Sequence, residues 1–365
     1  MIKLLSLIPL SLFCGLLLHP AGIFAIPGRK PDASCISDTT ARRIVIAGVG
    51  DIMPGTSFPS ASFLPPASRV SSLFGTLADT LAGADVTFGN LEGSFLDNGE
   101  PAKQCRDTTI CYLFRIPEAY SHLLADAGFD IISLANNHIG DFGEPGKRRT
   151  IYLLDSLGIN YAGLVEAPWK ILNVDTLLIG FCAFAPNKGT VNLTDRKEIE
   201  RVVGYLADTC HIVIASFHGG GEGADHQRVP RTEESYAGEN RGNVYEIARL
   251  MIDSGADLVF GHGPHVPRAI DIYRDRFIAY SLGNFLTYSR FNISGPNGLA
   301  PVAMIEVDAG GRFVSGRIVP AIQIRGEGVR YDPEGRVIKK IRELMALDFP
   351  DSLISLSEEG VIKLK

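Results

Sequence analysis

Five hydrophobic runs in this chain stop abruptly at a polar cluster, and three of them follow a helix-closing glycine. Gly83 precedes the run Val86 to Gly89, which delivers Asn90-Leu91-Glu92. Gly128 precedes the run to Ala135, which delivers Asn136-Asn137-His138. Gly255 precedes the run to Gly261, which delivers His262-Gly263-Pro264-His265. Two further runs, Arg43 to Gly50 and Ile212 to Phe217, end at Asp51 and His218. Helices alternating with buried strands predict a mostly parallel sheet, an α/β fold. In such sheets ligands gather beyond the carboxyl ends of the strands, so the five tips describe one constellation. Carboxylate, amide oxygen and imidazole are the donors of a hydrolytic metal site. The chain is therefore expected to carry a metal centre.

The intervening segments fit this frame. Tyr120, Leu123, Leu124 and Ala127, and likewise Val244, Ile247, Ala248 and Met251, recur at i, i+3, i+4, i+7 and predict helices. Gly128 and Gly255 stand where a helix end takes a left-handed residue, and Pro117 and Pro145 suit first-turn positions. Residues 69–83 and 145–157 are expected as further helices, and 334–347 as a late one. Residues 171–184, 277–282, 302–308 and 312–320 are β-rich, with a hairpin turn at Ala309-Gly310-Gly311. Two sheets packed face to face, with helices outside both, satisfy this pattern. Long polar segments interrupt it at 54–68 and 219–243. Loops of that length in a compact domain are functional lids or disordered segments, and Gly219 to Asn243 is expected to be a mobile lid. Its Arg228, Arg231 and Arg241 could grip substrate carboxylates or phosphates bidentately.

One site spanning Asp51 to His265 requires one domain, expected over 42–322, with 323–365 as a C-terminal extension. Lys3 followed by the uncharged run Leu4 to Leu18, then Pro20, Gly22 and Ala25, reads as a signal peptide over 1–25, with an uncleaved signal anchor as the alternative. Residues 26–41 form a leader. The protein is then exported, either periplasmic or otherwise extracytoplasmic, or held at the membrane by this segment. With 35 Lys and Arg against 41 Asp and Glu, the surface lacks the cationic excess that nucleic-acid binding rests on. In an exported chain the spacing of Cys105 and Cys111 within a polar segment suits a disulfide-closed loop. Cys182 and Cys210 lie in apolar runs and read as buried thiols. No CxxC pair is present, which argues against a thiolate zinc site.

Taken singly, Asp51 could be an Asx-turn former, and Asn90-Leu91-Glu92 a common turn. Asn137 offers an amide oxygen to a metal, while His138, off the metal, can donate a proton to a leaving group. Asp141 could orient that imidazole and fix its tautomer. His218 is followed by three glycines that admit a close substrate, then by Glu222. Asn90, Asn136 and Glu222 are candidates either for the metal or for its surroundings. His262 and His265, three apart and held by Gly263 and Pro264, can face one point. His122 and His211 lack such a setting and read as ordinary helix or strand residues.

Six motifs in order carry a resemblance: Gly50-Asp51-Ile52-Met53, Asn90-Leu91-Glu92, Ala135-Asn136-Asn137-His138 with Asp141 and Gly143, His218 with Gly220 and Glu222, Gly261-His262-Gly263-Pro264-His265-Val266, and Tyr280-Ser281-Leu282-Gly283-Asn284-Phe285. Over residues 43–322 the chain resembles the CapA family of bacterial capsule and poly-γ-glutamate biosynthesis proteins, which is similar to the calcineurin-like metallophosphatases. The resemblance implies a four-layer α/β/β/α metallophosphatase-like sandwich with a metal site between its two sheets. It implies Asp51, Glu92 or Asn90, Asn137, His218, His262 and His265 as metal-site residues, with His138 catalytic. The cofactor would be one or two divalent ions (Mn, Zn, Fe or Mg). The partners would be an anionic polymer or cell-envelope substrate and membrane-bound capsule synthesis machinery. Met53 stands where the superfamily has a His and Asn90 where it has a bridging Asp, so Glu92 must substitute if two ions bind. Gly219 and Gly263 replace a Trp and a His frequent in the family. These departures leave open a non-catalytic polymer-binding or assembly factor with the same fold.

Overall fold

The computed structural model describes residues 42–103 and 112–365. The expected signal segment 1–25, the leader before residue 42 and the Cys105–Cys111 pair lie outside these residues.

Two mixed sheets form the centre. In the larger, nine-stranded sheet the order is Ile354–Leu356, Val361–Leu364, Phe313–Val319, Val302–Asp308, Arg43–Met53, Val86–Leu91, Ile131–Ser133 and Asn160–Ala162, and Asn284–Thr287 pairs with the far end of Arg43–Met53. The six-stranded sheet runs Ile270–Tyr273, Arg276–Ala279, Leu258–His262, Ile212–His218, Leu177–Phe184 and Trp169–Val174. Strands buried on both faces read as continuous apolar runs rather than alternating ones, as in Ile212–His218, where every residue is buried.

The sheets meet through Phe88, whose ring lies 5.2 Å from that of Phe181 and 5.4 Å from that of Phe260. Outside the larger sheet, Val49 and Ile52 share a buried cluster with Leu77, Leu81, Leu123, Leu124 and Leu154 of three helices. Outside the smaller one, the helices Arg196–Thr209 and Val244–Asp253 bury Val202, Val203, Leu206, Ala248 and Met251. The architecture is the four-layer α/β/β/α sandwich. Gly128 and Gly255 adopt φ of +78° and +112° as helix-ending glycines.

One helix is corrected, and two segments gain structure that the sequence pattern did not show. The 69–83 helix is divided into a 3-10 segment Ala67–Ser72 and a helix Leu77–Ala82, because Gly75 at φ +54° breaks the chain between them. Residues 323–365, expected as a C-terminal extension, join the large sheet and the common core. Ile362 pairs with Gly316 in the large sheet, and Ile341, Leu344, Ile354 and Ile362 are buried in the common core. Segment 219–243, expected as a mobile lid, has structure of its own and brings Glu222 within 3.8 Å of His265. It holds a 3-10 turn, Ala224–His226, and a hairpin of Glu234–Tyr236 with Glu239–Gly242. It is pinned by Glu234, whose carboxylate accepts from Arg268 Nη2 at 2.6 Å and Nη1 at 2.9 Å. Among the described residues no helix is long and apolar enough to cross a membrane.

Cys182 and Cys210 are free, buried thiols, as expected. Burial pushes the Cys210 thiol up to about 11 and the Cys182 thiol higher still. Thiolates, not thiols, react, so iodoacetamide should modify neither in the folded protein and both in denaturant. Peptide mass mapping reads the difference, and labelling of Cys182 without denaturant would contradict this packing.

Candidate metal centre

Strand register brings the expected tips together. In the larger sheet Asp51 is the parallel partner of both Asn90 and Asn284, and in the smaller sheet His262 is the partner of His218. Asp51 is admitted by a glycine before it: a Cβ on Gly50 would stand 2.0 Å from the Gly283 carbonyl oxygen, which accepts a hydrogen bond from Asp51 N at 2.9 Å. After His262 the chain turns through Gly263 at φ +109° to His265, which itself sits at φ +57°. A non-glycine residue in that region costs about 1–3 kcal/mol and is found where the surroundings enforce it.

The side chains converge. Asp51 Oδ1 lies 3.2 Å from His262 Nδ1 and Asp51 Oδ2 lies 2.8 Å from His265 Nδ1. Asn90 Nδ2 donates to Asp51 Oδ1 at 2.8 Å and to Glu92 Oε2 at 2.6 Å. Glu92 Oε2 is 3.7 Å from His218 Nδ1, and Asp51, Glu92 and His218 each offer a ligand atom within 4.8 Å of the others. Burial alone would raise the Asp51 carboxyl, but its two imidazole neighbours outweigh it and hold the group far below the usual carboxylate range. Burial, reinforced by the Asp51 charge, pushes Glu92 well above that range. Burial and then the Arg241 guanidinium keep His218 neutral, well below the ordinary imidazole value. Burial opposes charge on His265 too, yet its contact with Asp51 raises it to about 9.

Glu92 Oε1, Asn137 Oδ1, His262 Nε2 and both ring nitrogens of His218 are buried without a hydrogen-bond partner. Buried polar atoms are almost always paired. This oxygen and imidazole set fits a divalent cation, whose binding would satisfy what the protein leaves unpaired.

Beside these donors, His138 Nδ1 faces Asp141 Oδ2 at 2.8 Å, and the same oxygen accepts from Phe114 N at 2.9 Å. The Phe114 ring packs on the imidazole at 4.3 Å between centroids. With Nδ1 engaged, Nε2 is the edge left for a substrate. A cleft of about 710 Å³ is lined by Asn137, His138, Glu222, His265 and Asn284.

Glu222 lies between His265 Nε2, 3.8 Å away, and Arg241 Nη2, 3.1 Å away. Asn136 is a structural relay: its Oδ1 accepts from His138 N and Ile139 N, both at 3.0 Å. The three arginines expected to grip substrate do not line the cleft. Arg228 binds the Asp348 carboxylate and Leu347 carbonyl, and Arg231 lies over the Tyr245 ring at 4.8 Å. Arg241 is buried against Glu222 and Glu239. Each is committed to a partner within the fold, and the cations lining the cleft are Lys103 and Arg290. Lys103 Nζ is 3.3 Å from Asn137 O and 3.6 Å from Asp141 Oδ1. Asn284 is a further site residue, with a buried, unpartnered Oδ1. Its sequence signal is the Ser281-Leu282-Gly283-Asn284 turn after another strand.

Comparison with known proteins gives a consistent assignment. Residues 45–289 match the family described as bacterial capsule synthesis protein PGA_cap. The chain is 26% identical over 263 residues to the capsule biosynthesis protein CapA of Bacillus anthracis, covering 67% of this chain and 60% of that protein. It is 30% identical over 181 residues to the PGA biosynthesis protein CapA of Bacillus subtilis, covering 45% and 44%. It thus spans 60% and 44% of the lengths of these two relatives. Among solved structures, a 5′-nucleotidase precursor from Thermus thermophilus aligns over 84% of this chain and 60% of that one, at TM-score 0.45 and 13% identity.

Proposed function

The chain belongs to the bacterial capsule synthesis protein family, and from that premise we propose that it is an exported, metal-dependent hydrolase acting on an anionic polymer or another cell-envelope substrate. The observation that carries this reading is the set of unpartnered buried donors on Glu92, Asn137, His218 and His262, set beside the His138–Asp141 couple. Asp51, Glu92, Asn137, His218, His262 and His265 would hold the ion. Once bound, it supplies Lewis acidity toward the scissile group and activation of water. Asp141 holds the Nδ1 side of His138, so the Nε2 proton can pass to the leaving group. Lys103 offsets the Asp141 charge from the cleft side. The buried carboxylates beneath the cleft disfavour an anionic substrate until a cation offsets them. The scissile bond is a phosphoester or the amide of a γ-linked polymer, and a general acid serves both.

A second reading, binding without turnover in partnership with membrane-bound synthesis machinery, is favoured by Met53. That side chain is buried in the apolar outer cluster and gives the site no donor.

Elemental analysis of the purified protein, with hydrolysis of a phosphodiester and of a γ-glutamate oligomer, tests both. Bound metal should be present in the parent protein and largely lost in Asp51→Asn. Metal-free protein after incubation with each candidate ion would overturn the metal reading. Metal without hydrolysis of either substrate class would leave the binding role.

A further inference from the structure

The orientation of one amide decides how many ions this centre can take. Backbone N–H groups only donate, so the atom of Asn136 that faces His138 N and Ile139 N must be its oxygen. The Asn136 nitrogen is thereby turned the other way, donating to Leu91 O at 2.8 Å and to Asn90 Oδ1 at 3.0 Å. Since Asn90 Oδ1 accepts there, its Nδ2 must face Asp51 Oδ1 and Glu92 Oε2, at 2.8 and 2.6 Å. Every amide in the relay is fixed by the backbone at its start. Asn90 and Asn136 are fully or almost fully buried, so water does not compete for these bonds.

Two divalent ions about 3.5–4 Å apart repel strongly in a buried pocket and need anionic oxygen between them. Here the group between the two buried carboxylates is an NH₂ donor, which repels a cation and already engages one oxygen of each. Charge points the same way. Asp51 and Glu92 together match one divalent ion, while Glu222 is compensated by Arg241 at 3.1 Å. A second ion would leave buried positive charge with no counter-charge, which is costly. Building on the metal reading above, we propose that the centre holds a single divalent ion, and that Asn90, locked by Asn136, is the residue that excludes a second.

The test is stoichiometry, independent of any substrate. The intact purified protein and its Asn90→Asp variant are stripped with chelator and loaded separately with Mn²⁺ and with Zn²⁺. They are then desalted and assayed for metal per chain, with circular dichroism as a fold check. One ion per chain is expected in the parent protein. In Asn90→Asp, where a carboxylate replaces the amide, a rise toward two is expected. Two ions per chain in the parent would overturn the inference while leaving the metal reading intact. No retained ion of either kind would overturn the metal reading itself. A count that stays at one in a folded Asn90→Asp protein would overturn the role given to Asn90. The parent count stands even if the variant fails to fold.

Discussion

His138→Ala is expected to lower hydrolysis by roughly 10²–10⁴-fold, the usual contribution of a general acid, while leaving metal content unchanged. The two effects separate because His138 is oriented by Asp141 and Phe114, whereas the cluster that would hold the ion is built on Asp51, His262 and His265. Asp141→Asn should cause a smaller loss, since the imidazole keeps its packing on Phe114 but loses the carboxylate that holds its Nδ1 side. Metal analysis beside rate measurement distinguishes the cases. A fully active His138→Ala protein would remove this residue from the mechanism, and a metal-free one would make it part of the ion's support.

The centre was legible in the sequence because its parts are local. Each tip follows a buried run, and glycines mark where helices end, so parallel pairing sets Asp51 beside Asn90 in the larger sheet and His218 beside His262 in the smaller, while the facing of the two edges depends on long-range packing. The helix Arg196–Thr209 obeys the same periodicity through Ile199, Val202, Val203 and Leu206, with Asp195 capping its start. It ends at Cys210 in extended backbone, not at a left-handed glycine, and so lacks the mark that identified its counterparts. The final strands, three and four residues long, are too short to show a period, and only the pairing of Val361–Leu364 with Phe313–Val319 and of Ile354–Leu356 with Val361–Leu364 places them in the sheet. The partners of the arginines of 219–243 were hidden for a related reason. Local sequence shows that Arg228 is cationic, but not that Asp348, 120 residues later, will be folded against it. Lys103 enters the cleft through loop geometry that no periodicity encodes, and Asn284 heads a strand of four residues, too short to show a period.

Glu234→Ala is expected to destabilise the protein by about 3–5 kcal/mol, the cost of stranding one member of a buried ion pair. Arg268 is fully buried. Its guanidinium is satisfied by both Glu234 oxygens and by the His226 carbonyl at 2.8 Å, while Glu234 Oε1 also accepts from Gly221 N at 3.0 Å. Removing the carboxylate leaves a buried cation and frees the backbone that carries Glu222 into the cleft. Replacing both partners with apolar residues of similar volume, as in Glu234→Leu with Arg268→Met, should cost far less, because no charge is then left behind. Urea titration of the two variants separates the readings of this segment. A rigid cleft rim predicts a large loss in the single variant and substantial recovery in the double one. Were Glu234→Ala within about 1 kcal/mol of the parent, within the range of exposed ion pairs, the hairpin would be loosely attached and the segment would be free to act as the mobile lid its length suggests.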